Sequence, residues 1–189
     1  MRLFLGLDLD AAIRDALTPV IDRLRKSGAD VRWVAPADLH LTLKFCGELA
    51  QFEPLDAAVR SEVGALPALD LEIAGLGSFP GRGGPGVIWA GGRGELAPVA
   101  SACERAAAKV GVEPERRPWS AHVTLGRVNA ALGIAPLVEE VRAGGGLSFG
   151  RMRAAAVTLF RSGTGEGGSR YERIARIPLR SSSPLEASI

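Results

Sequence analysis

Both histidines of this 189-residue chain open the same short phrase, His40-Leu-Thr-Leu and His122-Val-Thr-Leu, 82 positions apart. The chain has only five threonines, so a threonine two places after each histidine is not a product of composition. Apolar and polar residues alternate around both phrases, in LHLTLKFCGEL (39–49) and AHVTLGRV (121–128), which predicts two strands. A chain with this feature must place two equivalent strands in two similar settings. Each half then reads as strand, helix, His-x-Thr-Leu strand, helix and strand. A period near 80 residues is too long for a solenoid unit and fits a duplicated lobe. The predicted class is α+β: a duplicated two-lobe fold with antiparallel sheets flanked by helices, and a pseudo-two-fold about a central cleft.

The remaining elements follow from local pattern. RLFLGLDL (2–9) reads as a strand. Asp10 is placed to cap a helix carrying Ile13, Leu17, Val20, Ile21 and Leu24, which ends near Ser27-Gly28. Pro19 inside that pattern predicts a kink or a late start. A short strand at 31–34 leads into a turn at 35–38. A helix follows at about 53–65, then a strand at 69–76. The stretch GSFPGRGGPG (77–86) reads as a flexible connection and a lobe boundary. Next come a strand at 87–92, helices at 95–110 and about 134–143, and two long paired strands at 147–162 and 170–179. A glycine-rich turn at 163–168 joins that pair as a hairpin. Residues 1–180 are therefore expected to form one domain with lobes at about 1–80 and 86–180, followed by a frayed tail at 181–189.

Composition bounds the partners. A net charge of +2 does not suit the coating of long nucleic acid but permits a local basic cleft, and the positive side is mostly arginine. Cys46 and Cys103 are too few and too far apart for a disulfide framework or a metal knuckle, and read as reduced thiols of a cytoplasmic protein. The apolar N-terminus is broken by Asp8 and reads as a strand rather than a signal peptide. No run approaches the ~20 apolar residues that cross a bilayer. The default oligomeric state is a monomer, because duplicated lobes supply the paired strands within one chain.

On a strand, residues two apart share a face. His40 and Thr42 therefore point one way, as do His122 and Thr124, while Leu41, Leu43, Val123 and Leu125 point into the core. Pairing such strands brings two imidazoles and two hydroxyls to one site. One neutral ring can take a proton while the other, protonated, gives one. Threonine hydroxyls can donate to the oxygens of a phosphate as charge develops on them. No metal or cofactor is needed. Zinc would require a third ligand, and neither Cys46 nor Asp38 recurs in the other half. Lys44, four residues after His40, has the parity to join the site. Arg127, five after His122, reaches the cleft only if the strand twists, bulges or ends there. Phe45 and Phe79 are candidates for stacking on a base, and Trp119 lies close to the second phrase. Phe45 has the parity of the core leucines. The glycine-rich stretch 81–94 lacks the ending of a P-loop.

At these residues the chain resembles the two-histidine (2H) phosphoesterase superfamily. FLGLDLD, HLTLKFCGEL, GSFPGRGGPGVIWAG, HVTLGRV and VTLFRS followed by Tyr171 look more narrowly like the bacterial RNA 2′,3′-cyclic phosphodiesterases, long called 2′-5′ RNA ligases. The resemblance spans about residues 1–180. It implies hydrolysis of an RNA 2′,3′-cyclic phosphate to a 2′-phosphate, and a reverse reaction that joins ends 2′-5′. It implies His122 as general base, His40 as general acid, and Thr42 and Thr124 as phosphate-holding residues. It also implies Arg127 near the ligand, with Arg161 and Tyr171 in similar phrases. A second substrate class is a small cyclic nucleotide or ADP-ribose cyclic phosphate. A non-catalytic RNA-end module is a third reading, against which two titrating imidazoles argue.

Overall fold

The computed structural model describes residues 1–165 and 168–180. Strands β1 (Arg2–Asp8), β2 (Val31–Trp33), β3 (His40–Glu48), β4 (Leu69–Gly81), β5 (Gly84–Arg93), β6 (His122–Val128), β7 (Ser148–Ala154), β8 (Ala156–Gly165) and β9 (Gly168–Pro178) form one curled antiparallel sheet. Its order is β7-β4-β5-β6-β3-β1-β8-β9, and β2 pairs with the far half of β6. Helices α1 (Ala11–Arg25), α2 (Glu53–Val63), α3 (Ala97–Lys109) and α4 (Ala135–Ala143) connect them.

The strand order interleaves the two halves of the sequence. β4, from the first half, sits between β5 and β7, whereas β8 and β9, from the second, extend the sheet beyond β1. The two wings meet at β3 and β6, whose register is a single pair, Leu41 opposite Val123. β2 then replaces β3 along β6, so the wings diverge from this seam.

One sheet face is apolar and carries the helices. α1 packs on β7 and α4 on β4, while α3 packs on β3 and α2 on β9. Leu5, Leu7, Leu41, Ile73, Ile88, Val123, Leu125, Val157 and Leu159 lie on this face, each 0–3% exposed. Each such side chain contributes about 1.5–3 kcal/mol by leaving water. That burial fixes which way the opposite face looks.

Three expectations change. The stretch 77–86 is not a connector, because β4 and β5 run through it as a continuous hairpin that turns at 82–83. Gly83, in the left-handed region at φ 79°, supplies the turn. The single strand expected at 147–162 is two strands at different places in the sheet. β7 pairs with β4, the chain leaves the sheet at Ala155, and β8 pairs with β1 and β9. Helix α1 runs through Pro19 without a break. Asp10 stands at its N-cap without a side-chain cap bond, and Gly28 follows it at φ 73°. The β8–β9 hairpin forms, with strand pairing carried through 163–165 and 168–170 where a glycine-rich turn is expected; residues 166–167, like 181–189, lie outside the described residues. Cys46 and Cys103 are free and buried, and burial pushes both thiols up to about 12. Among the described residues no helix is long and apolar enough to cross a membrane.

Candidate active site

The seam between the wings carries the two His-x-Thr phrases. Around the Leu41–Val123 pair, antiparallel register sets His40 across from Thr124 and Thr42 across from His122. The apolar pair points to the helices, so all four polar side chains look out of the opposite face. Each imidazole thus has a hydroxyl beside it on its own strand and another across the seam.

Both rings are held in the same way. His40 Nδ1 donates to the Asp38 carbonyl at 2.7 Å, and His122 Nδ1 donates to the Ser120 carbonyl at 2.8 Å. A carbonyl can only accept, so the proton is fixed on Nδ1 and Nε2 is left for proton transfer. These bonds run to main-chain atoms two residues upstream, and no side-chain pattern announces them.

The surroundings of the two rings differ. His40 is only 8% exposed. Its ring lies tilted against Phe4 at 4.7 Å and Phe160 at 5.3 Å between ring centroids, with Tyr171 edge-on at 4.9 Å. Gly6, opposite Thr42, leaves room for this cluster, since a Cβ there would fall 2.8 Å from the Leu41 carbonyl and 3.6 Å from the His40 ring. His122 is half-buried, with Phe79 edge-on at 4.8 Å. Burial pushes the His40 imidazole below its ordinary range. The Asp38 carbonyl and the carboxylates of Asp8 and Asp38 oppose that shift, and Arg173 adds to it. Burial also lowers His122, opposed by the Ser120 carbonyl and reinforced by Arg127.

Asp8 is a site residue that sequence reasoning misses. It lies opposite His40 in the β1–β3 register and accepts from Thr158 Oγ1 at 2.8 Å and from Arg173 Nε at 2.7 Å. Its one signal in the chain is the polar residue ending the FLGLD strand.

A bulge just past the threonine on each His strand changes the parity expected beyond it. Leu5 pairs with Lys44 while Gly6 pairs with Thr42, so Leu43 is an extra residue on β3. Trp89 pairs with Thr124 while Ile88 pairs with Gly126, so Leu125 is extra on β6. Past each bulge the faces exchange. Lys44, expected in phase with His40, turns to the helical side. There it is 6% exposed, with Nζ 2.7 Å from Glu104 Oε1 and 3.0 Å from the Glu113 carbonyl. Phe45, expected in the core, comes to the His40 face, 54% exposed and 5.8 Å from the Phe4 ring. Arg127, opposite Val87, comes into phase with His122 and is exposed. Phe79 also lies on this face, against both His122 and Trp89. Trp119 is 38% exposed at the rim, and its Nε1 donates to the Thr42 carbonyl at 3.3 Å. Tyr171 joins the His40 cluster, whereas Arg161 pairs with Glu172.

Two clefts flank the histidines. One of about 460 Å³ adjoins Asp8 on the His40 side, lined by Leu9, Arg14, Ala37 and Arg173. The other, about 630 Å³, lies on the β4-β5-β7 wing beyond His122. The arrangement can therefore set a phosphate between two imidazoles and two hydroxyls.

The chain is similar to known proteins over most of its length. Residues 13–166 match the model of the 2′-5′ RNA ligase superfamily. An RNA 2′,3′-cyclic phosphodiesterase of Archaeoglobus fulgidus is 34% identical over 131 residues, covering 68% of this chain and 73% of the relative. The enzyme of the same name from Aeropyrum pernix is 29% identical over 166 residues, covering 85% and 93%. Among solved structures, a Thermus thermophilus protein superposes with a TM-score of 0.81 at 26% identity, covering 97% of this chain and 100% of that one. Escherichia coli LigT complexed with 3′-AMP superposes with a TM-score of 0.73 at 29% identity, covering 94% and 97%.

Proposed function

The chain belongs to the 2′-5′ RNA ligase superfamily, and on that footing we propose that it is an RNA 2′,3′-cyclic phosphodiesterase working by paired-histidine acid–base catalysis. The observation that carries the reading is the crossed placement of His40, Thr42, His122 and Thr124 on one face, with both Nδ1 protons committed to the main chain. Two Nε2 atoms then remain for one phosphate.

In this mechanism Thr42 and Thr124 donate to the non-bridging oxygens. His122 Nε2 takes a proton from water, whose oxygen attacks phosphorus in line with the P–O3′ bond. His40 Nε2–H protonates O3′ as that bond breaks, leaving a 2′-phosphate and a free 3′-hydroxyl. Burial lowers both imidazoles, His40 being the more buried, and it is the neighbouring charges that lean toward this assignment. His40 has two carboxylates nearby that promote its charged form, and His122 has Arg127 opposing its own. Entry of the negatively charged cyclic phosphate raises both imidazoles and supplies the protonated acid. Arg127 would hold the phosphate or ribose, while Phe45 and Trp119 offer exposed aromatic surface to the base. Phe79 instead steadies His122 by edge contact. LigT, at 29% identity, is seen with 3′-AMP, in keeping with a mononucleotide-sized core site. With a 5′-hydroxyl in place of water, the same steps join two RNA ends through a 2′-5′ bond. We place the enzyme in the cytoplasm as a monomer, in line with its reduced thiols and internally paired wings.

The decisive experiment incubates the protein with short RNAs ending in 2′,3′-cyclic phosphate, in excess chelator, and identifies the phosphate position of the product. A 2′-phosphate is expected. A 3′-phosphate, or an untouched end, would reject the mechanism.

A further inference from the structure

The face that carries His122 does not end at the histidine. Gly91 lies opposite His122 on β5, and Arg93 is the next residue on the same face of that strand. With no side chain on Gly91, nothing on that strand stands between the imidazole and Arg93. Arg93 is opposite Glu72 on β4, Glu72 is opposite Arg151 on β7, and Asp70 is opposite Arg153. These residues line the cleft of about 630 Å³. The acidic members are engaged: Asp70 pairs with Arg153 at 2.6 Å, and Glu72 accepts from Ser148 Oγ at 2.9 Å. Arg93 and Arg151 are exposed, with no ion pair among the described residues. The result is an arginine-lined trough on the same sheet face as His122, beginning at Arg93, two residues along β5 from Gly91, the partner of His122. Arginine forks of this kind match phosphate.

The reaction's direction says which strand such a trough can serve. In-line displacement puts the entering oxygen on the His122 side and the departing O3′, with its ribose, on the His40 side. The trough leads away from His122 across β5, β4 and β7, which is the side of the entering oxygen. In hydrolysis that oxygen belongs to water and needs no trough. In ligation it is the 5′-hydroxyl of a second RNA.

We propose that the trough, through Arg93 and Arg151, binds the phosphate backbone of the RNA strand whose 5′-hydroxyl attacks the cyclic phosphate. The proposal rests on the reading of His122 as base. In that step O5′ bonds to phosphorus and the P–O3′ bond breaks. The 5′-hydroxyl proton passes to His122 Nε2, and O3′ takes the proton of His40. In the cleavage direction, the same trough holds the strand released with a 5′-hydroxyl.

The test compares wild type with an Arg93→Gln/Arg151→Gln double variant. RNAs containing one 2′-5′ bond, with either one or six nucleotides beyond O5′, report cleavage. A cyclic mononucleotide and a cyclic-ended hexanucleotide report hydrolysis. The variant is expected to lose about tenfold in kcat/KM, through KM, on the six-nucleotide strand, and to keep the other three rates within twofold. Fluorescence anisotropy of a 5′-hydroxyl hexaribonucleotide should show the salt slope of binding falling by about 1.4, at ~0.7 per phosphate contact. Loss on the cyclic-ended hexanucleotide instead, equal loss on all substrates, or no loss would each overturn the proposal. A wild type that leaves every cyclic phosphate intact rejects the parent mechanism alone. The anisotropy then decides the trough, and binding indifferent to the two arginines overturns it.

Discussion

The two histidine strands share a backbone plan. Each donates Nδ1 to the carbonyl two residues upstream, and each bulges at the leucine three residues after its histidine. The side chains set around that plan are unequal. His40 lies in an aromatic pocket with Asp8 held alongside by Thr158 and Arg173. His122 is more open, edged by Phe79 and influenced by Arg127. The residue that each bulge delivers to the active face differs as well, Phe45 on one strand and Arg127 on the other. A duplicated scaffold gives two equivalent proton-transfer positions, and substitution around them makes one an acid and the other a base.

Removing either ring tests the comparison most severely. His40→Ala and His122→Ala should each lower kcat by roughly 10²–10⁴-fold with folding unchanged by circular dichroism. A variant that retains near-normal turnover would show that its ring transfers no proton. The threonines come next. Thr42→Val or Thr124→Val keeps the shape and removes one donor to the phosphate, at a cost of about 10²-fold in kcat, measured on a cyclic mononucleotide. Because each hydroxyl sits across the seam from the other strand's histidine, the two losses should be similar. A tenfold disparity would mean the phosphate leans on one strand.

The inequality of the rings should appear in the pH profile of kcat/KM, which reports the free enzyme. The rising limb belongs to the ring that must be neutral, and the falling limb to the one that must be protonated. Burial lowers both imidazoles, so the optimum should lie on the acid side of neutrality. Asp8→Asn removes an anion that favours protonated His40, so the falling limb should move to lower pH. Arg127→Gln removes a cation that disfavours protonated His122, so the rising limb should move to higher pH. If Asp8→Asn instead moves the rising limb to lower pH and Arg127→Gln the falling limb to higher pH, the acid and base assignments are exchanged.

Much of this was legible in the chain. Period-two alternation placed β1, β3 and β6, and the doubled phrase located the seam before any strand order was known. What alternation could not show was where it stops. Neither Leu43 nor Leu125 is a residue that signals a bulge, so parity counted past them put Lys44 in the cleft and Phe45 in the core. The break at Ala155 was equally silent, because a run of small residues carries no turn chemistry. There the chain leaves one wing for the other to satisfy tertiary pairing. Asp8 acquires its role only through its register with His40.

The exchanged faces give the smallest expected effect on activity and the clearest check on the bulge. Lys44 has its ammonium between Glu104 and the Glu113 carbonyl, with its side chain 5% exposed. Lys44→Met keeps the length of the side chain and leaves Glu104, itself 35% exposed, without its partner. The loss should be about 1–3 kcal/mol of stability, a drop of several degrees in Tm, with kcat/KM within twofold of wild type. Phe45→Ala should do the reverse: little change in Tm, because the ring is more than half exposed, and a higher KM for RNA ends. If Lys44→Met instead raises KM while Tm holds, the lysine faces the phosphate, and the parity of an unbulged strand describes β3 after all.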